Sequence, residues 1–181
     1  MMKVEYVDAV KSEPTTIFLG RMQPIHCGHD AIIKLMKNPI VVLVKGAKTS
    51  QDKERNPLDT EYQSKLIKML NPKVDVLVAK SGYIPDIVNE YRKKGIEISE
   101  LMTGADRIGK YQIMINSFNN KQPESKHINL KFTETPRVAS ATDVRDAIRN
   151  GNFDSFKKLV PLKLHCEWET LKEKLDENEV I

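Results

Sequence analysis

Cysteine, aromatic residues and long apolar runs are all scarce in this chain of 181 residues, and each scarcity excludes a class of protein. Two cysteines, Cys27 and Cys166, cannot form a disulfide framework and indicate a reducing compartment. The longest apolar runs, such as residues 40–44, are far shorter than the ~20 residues that span a bilayer. No apolar segment typical of a secretion signal follows the N-terminus. We therefore expect a cytoplasmic protein without a membrane partner.

The excess of positive charge is also small, because the chain has 29 Lys and Arg and 25 Asp and Glu, which give a net charge of +4. The basic residues are scattered and lack the dense stripe of a nucleic-acid binder, so no nucleic-acid partner is expected. A mild positive charge suits a small phosphorylated ligand. The hydrophobic fraction of 40% is that of an ordinary globular protein, and the length predicts one domain over residues 1–181.

Short apolar runs alternate with helical spacings along the chain. Strands are predicted at residues 16–19, 40–44, 74–78, 100–102 and 127–132. In the first predicted helix, Ala31, Ile32, Leu35 and Met36 share one face. This alternation predicts an α/β fold with a doubly wound, parallel five-stranded sheet over a core of about residues 15–160. Ligands of such sheets bind beyond the carboxyl ends of the strands, so functional residues should follow the strands.

The end of the chain has a different pattern. Leu164, Trp168, Leu171 and Leu175 have the spacing of an amphipathic helix, which we place at about residues 163–176. We expect this C-terminal helix to pack on the core. A dimer contact is the alternative, so a homo-oligomer stays possible at this point.

The most informative segment is residues 20–29, which we call the motif loop and which lies between the first predicted strand and helix. Gly20 and Gly28 let a ligand approach the backbone, and Arg21 adds a planar cation suited to phosphate. His26 and His29 can converge on the helix N-terminus, where free N–H groups favour an anion. These features predict a site for a nucleotide polyphosphate.

A metal site is the alternative interpretation of the motif loop, because His26, Cys27 and His29 are possible ligands. Three ligands so crowded would be strained, and no second ligand pair is present. We therefore expect no metal ion held by the protein itself.

The motif loop resembles the GRxQPxHxGH form of the HxGH signature of nucleotidyltransferases. Its Gln-Pro pair is similar to that of archaeal-type nicotinamide mononucleotide adenylyltransferases. The resemblance implies a Rossmann-like nucleotidyltransferase fold with C-terminal helices. It also implies that His26 and His29 are catalytic. The implied nucleotide-binding residues of this loop are Gly20, Arg21, Met22, Gln23 and Gly28.

Two further segments resemble the same superfamily. Residues 53–58 are similar to its RNPF/RDPF segment, which implies that Arg55 contacts the acceptor phosphate. Residues 140–145 are similar to its ISSTxxR signature, with Ala141 in place of a serine. By this resemblance Ser140 and Thr142 bind the nucleotide and Arg145 is catalytic. Ser140 or Thr142 is also a good N-cap for the helix predicted to follow.

A glycine turn follows the fourth predicted strand at residues 104–107. In the superfamily such a turn approaches the base and ribose, which implies that Gly104 and Asp106 bind the nucleotide. Arg107 is assigned to the acceptor phosphate. A purely structural turn is nearly as good an interpretation.

The function implied by the resemblance is nucleotidyl transfer from ATP to a phosphate monoester, with release of pyrophosphate. Nicotinamide mononucleotide is the favoured acceptor, which would make the product NAD. Mg²⁺ is expected as an ion bound mostly by substrate and water. The alternatives are CTP as donor, another acceptor (phosphopantetheine, glycerol phosphate or a sugar phosphate), or a nucleotide-binding regulator without turnover. No aromatic residue that would stack on nicotinamide is identified.

Overall fold

The computed structural model describes residues 14–136 and 140–177. Strands and helices alternate throughout this part of the chain. The strands are β1 (Thr16–Gly20), β2 (Ile40–Val44), β3 (Asp75–Ala79), β4 (Glu100–Thr103) and β5 (Lys131–Glu134). The helices are α1 (Cys27–Leu35), α2 (Ala47–Gln51), α3 (Thr60–Leu70), α4 (Ile84–Arg92), α5 (Ala105–Asn119), α6 (Ala141–Arg149), α7 (Phe153–Leu159) and α8 (Trp168–Asp176). Short 3-10 helices lie at Glu124–Lys126 and Leu162–Glu167.

The five strands form one sheet in the order β3-β2-β1-β4-β5, and every neighbouring pair is parallel. The chain builds outward from β1 to β3 and then crosses back to β4, so the direction of winding reverses between β1 and β4. That reversal is the position at which doubly wound sheets bind ligands, beyond the carboxyl ends of the strands. The predicted α/β Rossmann-like fold is confirmed.

The apolar strand residues are divided between two cores because successive side chains point to opposite faces. Phe18, Val41 and Leu43 pack on the face covered by α1, α3 and the C-terminal helices. Ile17, Leu19, Ile40, Val42 and Leu101 pack on the face covered by α4 and α5. Both faces of the central strands are therefore shielded from solvent, as the unbroken apolar run of β2 predicts.

The fifth strand begins later than its predicted start at His127. Asn119, at the end of α5, accepts a hydrogen bond from the Ile128 N–H at 2.8 Å and donates one to the Ile128 carbonyl at 3.0 Å. A side-chain amide thus occupies the backbone groups of Ile128 that a strand partner would need. Pairing with β4 starts only at Lys131.

The predicted inner face of α1 is partly wrong. Ile32 and Met36 are buried as expected, but Ala31 is exposed, Leu35 is 72% exposed and Ile33 takes the inner position. Helical spacing fits both sets of residues, and the packing of α1 against the sheet selects between them.

The C-terminal segment also differs from the single helix predicted at about residues 163–176. It begins as the 3-10 helix Leu162–Glu167, in which the Leu164 N–H bonds to the Pro161 carbonyl, and becomes α-helical only at Trp168. Leu164, Trp168, Leu171 and Leu175 are nevertheless all buried against the core. In the described ranges, no helix has both the length and the apolar character needed to cross a membrane.

Candidate functional site

A cleft of about 980 Å³ opens at the carboxyl edge of the sheet, where the winding reverses. Its walls come from the ends of β1, β4 and β5, the loop after β3, and the first turns of α1 and α5. Eight residues predicted from the sequence line it: Gly20, Arg21, His26, Gly28, His29, Gly104, Asp106 and Arg107. The cleft therefore brings the motif loop and the turn after β4 to one place.

His26 is the N-cap of α1. Its Nδ1 accepts hydrogen bonds from the N–H groups of Gly28 and His29 at 3.1 and 3.4 Å. The imidazole thus caps the helix as a Ser or Asp side chain ordinarily does, with its Nδ1 lone pair as the acceptor. A neutral ring with Nδ1 as acceptor carries its proton on Nε2.

The His29 ring has the same proton arrangement, with Nδ1 as the acceptor, because it forms the reciprocal hydrogen bond to His26. Its Nδ1 accepts from the His26 N–H at 3.3 Å, which completes a capping box, and the two rings stack with centroids 3.7 Å apart. Both Nε2–H groups therefore remain available as donors to a ligand in the cleft. The first residues of α1 add the positive end of a helix dipole at the same point.

Both imidazoles are neutral at physiological pH. Burial lowers the pKa of His26 from 6.5 to about 4. Burial, followed by the neighbouring His26, lowers the pKa of His29 to about 3. The pair is thus two fixed neutral donors, since neither ring has the basicity to take up a proton near pH 7.

Arg145 lies within electrostatic reach of three other arginines. The pKa of Arg145 is lowered by burial and by the neighbouring charges of Arg149, Arg21 and Arg55, and Asp146 opposes this effect. Arg145 stays protonated despite this shift. Such a cluster favours a multiply charged anion.

Hydrogen bonds to a neighbouring loop hold the motif loop in place. Gln23 is buried, and its amide bonds to both the N–H and the carbonyl of Leu58, each at 2.9 Å. Met22 has a left-handed backbone (φ 48°) and a buried side chain. Neither Met22, which packs in the core, nor Gln23 lines the cleft, and their assignment to nucleotide binding stays a prediction.

Two glycines of the site stand where a side chain would collide. A Cβ on Gly20 would come within 3.2 Å of Met22 Cε, and one on Gly104 within 2.8 Å of Asp106 Oδ1. Gly28 contributes an N–H to the cap of α1. A side chain at Gly20 or Gly104 would therefore have to displace the tip of Met22 or Asp106.

The start of α6 lies behind the motif loop. Ser140 caps it by accepting the Thr142 N–H at 3.2 Å. Arg145, only 7% exposed, donates to the Gln23 carbonyl at 2.9 Å and to Thr142 Oγ1 at 3.3 Å. The cap is the one expected from the sequence. The assignment of Ser140, Thr142 and Arg145 to phosphate binding stays a prediction, since none of the three lines the cleft.

Arg55 lies in an exposed loop between α2 and α3. Asp52 accepts its backbone N–H at 3.2 Å and pairs loosely with its side chain at 3.9 Å. The structure brings Arg55 into the arginine cluster but not into the wall of the cleft. Its contact with an acceptor phosphate also stays a prediction.

Several cleft residues were missed from the sequence. Tyr83, which precedes α4 and is 39% exposed, is the most informative because it presents an aromatic ring to the cleft. The available signal was its position just after β3, where the carboxyl-edge rule applies. Other cleft residues that were missed include a second, buried tyrosine, Tyr111, and the polar residues Thr49, Ser81, Thr103, Lys110 and Glu134.

Metal ligands are not clustered at this site. Among residues 14–136 and 140–177, no group of three or more His, Cys, Asp or Glu side chains could hold an ion. The cleft walls do carry two separate carboxylates, Asp106 and Glu134. Any divalent ion here would need ligands from a bound molecule and water.

Comparison with known proteins gives a structural likeness. A solved structure of Thermotoga maritima TmcAL bound with alpha-thio ATP matches with a TM-score of 0.55 and 13% sequence identity. The match covers 91% of this chain and 56% of TmcAL, so this chain spans little more than half of that protein's length. No family model and no curated protein sequence matches the chain. At this level of identity the likeness shows the shared fold.

Proposed function

We propose that this protein is a nucleotidyltransferase that moves an adenylyl group from ATP to a phosphate monoester. One observation carries the proposal: His26 and His29 stack at the tip of α1 with both Nδ1 atoms occupied, which leaves two neutral Nε2–H donors facing a cleft. Fixed donors at a helix N-terminus beside Arg21 suit the oxygens of a polyphosphate.

The proposed reaction needs alignment more than base catalysis. An oxygen of the acceptor phosphate, already anionic, attacks the α-phosphorus, and the bond from that phosphorus to the bridging oxygen of pyrophosphate breaks. His26 and His29 donate to α- and β-phosphate oxygens as negative charge grows there. Arg21 offsets the repulsion between the two anionic substrates.

The remaining assignments follow the motif resemblance. Ser140, Thr142 and Arg145 would hold the departing pyrophosphate, while Arg55 and Arg107 would bind the acceptor phosphate. Gly104 and Asp106 would lie against the base and ribose. Mg²⁺ would be held mostly by substrate and water and would help to neutralise the charge of the triphosphate.

ATP is the favoured donor because TmcAL, which shares the fold, was solved bound with alpha-thio ATP. Nicotinamide mononucleotide is the favoured acceptor because of the Gln23-Pro24 form of the motif loop. We assign Tyr83 to stacking on an aromatic ring of a substrate, since it is an exposed aromatic residue of the cleft wall. An acceptor without such a ring would gain nothing from Tyr83.

The test is a pyrophosphate-release assay with ATP or CTP against nicotinamide mononucleotide, phosphopantetheine, glycerol phosphate and a sugar phosphate. We expect ATP with nicotinamide mononucleotide to give the highest rate, with NAD identified by mass spectrometry. The double variant His26→Ala/His29→Ala is the matched inactive control. Turnover with another acceptor would correct the substrate, whereas nucleotide binding without pyrophosphate release would favour the regulator alternative.

A further inference from the structure

Gln63 lies outside every recognised motif, yet it contacts the motif loop directly. It is 3% exposed, on α3, and its Nε2 donates to the carbonyls of Arg21 and Met22, the latter at 2.8 Å. The next carbonyl along the chain, that of Gln23, accepts from Arg145 at 2.9 Å. Three successive carbonyls of the loop are thus held by buried side chains of α3 and α6.

The loop needs this support because of its backbone. The left-handed conformation of Met22 (φ 48°) belongs to no regular element, so the flanking carbonyls have no strand or helix partner. Gln63 supplies a donor to two of these carbonyls. Without it, buried acceptors would be left unsatisfied and the loop would relax toward another conformation.

The direction of the Arg21 side chain depends on this backbone. Arg21 is exposed and lines the cleft, whereas Gln63 borders an adjoining pocket of about 20 Å³, which is too small for a nucleotide. A change at Gln63 therefore reaches a nucleotide in the cleft through the motif loop. The Gln23 amide in turn bonds to both backbone groups of Leu58, and these bonds hold the loop that carries Arg55 against the motif loop.

We propose that Gln63 is a positioning residue that sets Arg21 for the triphosphate. The inference rests on the proposed function, because it presumes that ATP binds in the cleft. It adds a residue that no motif of the sequence singles out, with a stated route of action through the Arg21 peptide. Preorganised contacts of this kind are lost when a supporting shell loosens by about 1 Å.

The experiment is a double-mutant cycle read by calorimetric titration with Mg-ATP. Gln63→Met keeps the size of the side chain but removes both donated bonds, and we expect it to weaken ATP binding about 10-fold. Arg21→Ala should weaken binding by a similar factor. In the Arg21→Ala background, Gln63→Met should add less than about 2-fold, because the two residues act as one unit.

The matched control is Asn119→Leu. Asn119 is also an amide that bonds to backbone groups, those of Ile128, but it lies at the far end of α5. This variant should lower the melting temperature as Gln63→Met does and leave the affinity for ATP unchanged. Should Gln63→Met fail to fold, Gln63→Leu, which is uncharged, of similar size and without the N–H donors, carries the same cycle.

The outcomes separate the two proposals. Wild-type protein that binds no ATP overturns the proposed function and this inference together. Wild-type binding, combined with a loss at Gln63 that is equally large with and without Arg21, overturns the positioning role alone. A Gln63 variant that binds ATP like wild type does the same.

Discussion

At the scale of single residues, His26 and His29 owe their chemical state to the backbone that surrounds them. Each Nδ1 accepts an N–H from the other residue's peptide, and the shared burial keeps both rings uncharged. Capping groups are ordinarily Ser, Thr, Asp or Asn. An imidazole in this position caps the helix and still presents a second, opposite nitrogen to a ligand.

His29→Ala tests this role. We expect it to lower turnover by ~10²-fold or more, the size of one preorganised donor to a developing negative charge. Pyrophosphate release under saturating substrates is the measurement. An unchanged rate would remove His29 from the mechanism.

The same pair predicts a dependence of stability on pH. Because the folded pKa values of about 4 and about 3 lie below the unfolded value of 6.5, the unfolded chain binds protons more tightly. Stability from this source is full above pH 6.5 and falls as the pH drops toward 4. We expect a loss on the order of a few kcal/mol in the free energy of unfolding.

Urea denaturation at pH 7 and pH 4.5 measures that loss. The double variant His26→Gln/His29→Gln is the control, since it retains every carboxylate and lacks both imidazoles. Its free energy of unfolding should fall less over the same interval. Equal losses in both proteins would contradict the assigned pKa shifts.

The position of the histidine pair could be predicted from the sequence, but the inward placement of Met22 and Gln23 could not. His26, His29 and the flanking glycines follow a strand and start a helix, which places them at the sheet edge. The inward turn of Met22 and Gln23 could not be predicted, because it depends on Gln63, 41 residues beyond Met22, and on Leu58. Local pattern carries no information about such distant partners.

At the scale of elements, the loop between α2 and α3 carries the least protected part of the candidate site. Arg55 is exposed, and its side chain pairs loosely with Asp52 at 3.9 Å. The loop itself is anchored, since Leu58 bonds to Gln23 on both backbone groups. The exposed cation on this fixed loop is the one that the motif resemblance assigns to the acceptor phosphate.

Arg55→Ala should therefore raise the KM for the acceptor more than the KM for ATP. The exposed Lys121, in the turn after α5, provides the control Lys121→Ala, which removes the same charge elsewhere and should change neither constant. Steady-state kinetics with each substrate varied in turn distinguishes the two KM values. A larger effect on ATP would reverse the assignment of Arg55.

Most elements were predictable because burial on both faces leaves a strong trace in sequence. The apolar runs that form β1 and β2 are confirmed to within a residue. The start of β5 was wrong because Asn119 competes for the Ile128 backbone, and the face of α1 because two sets of residues fit one helical spacing. Both errors come from tertiary contacts that override local pattern.

At the scale of the whole molecule, the C-terminal helices complete one of the two cores. Phe156, with no exposed surface, packs against Trp168 with ring centroids 4.9 Å apart, and Tyr62 on α3 donates to Glu167 at 2.7 Å. The same core contains Met22 and Ile25 of the motif loop. The packing of the C-terminus and the shape of the site therefore share one interior. That residues 1–181 form one domain stays a prediction.

Phe156→Ala should lower the free energy of unfolding by ~3–5 kcal/mol, the cost of a large buried ring and its cavity. Leu162→Ala is the control: Leu162 is 80% exposed, and its removal should change stability by about 0.5 kcal/mol or less. Circular dichroism during urea denaturation measures both. Equal stability of the two variants would show that the C-terminal helices contribute little to the fold.

The chain contains a single tryptophan, Trp168, which lies in this C-terminal layer, tilted against the rings of Phe153 and Phe156 and outside the cleft wall. Its fluorescence is consequently an intrinsic optical signal for the seating of α8 on the body of the protein. Emission from Trp168 can thus follow the detachment of the last helix in real time, without a label.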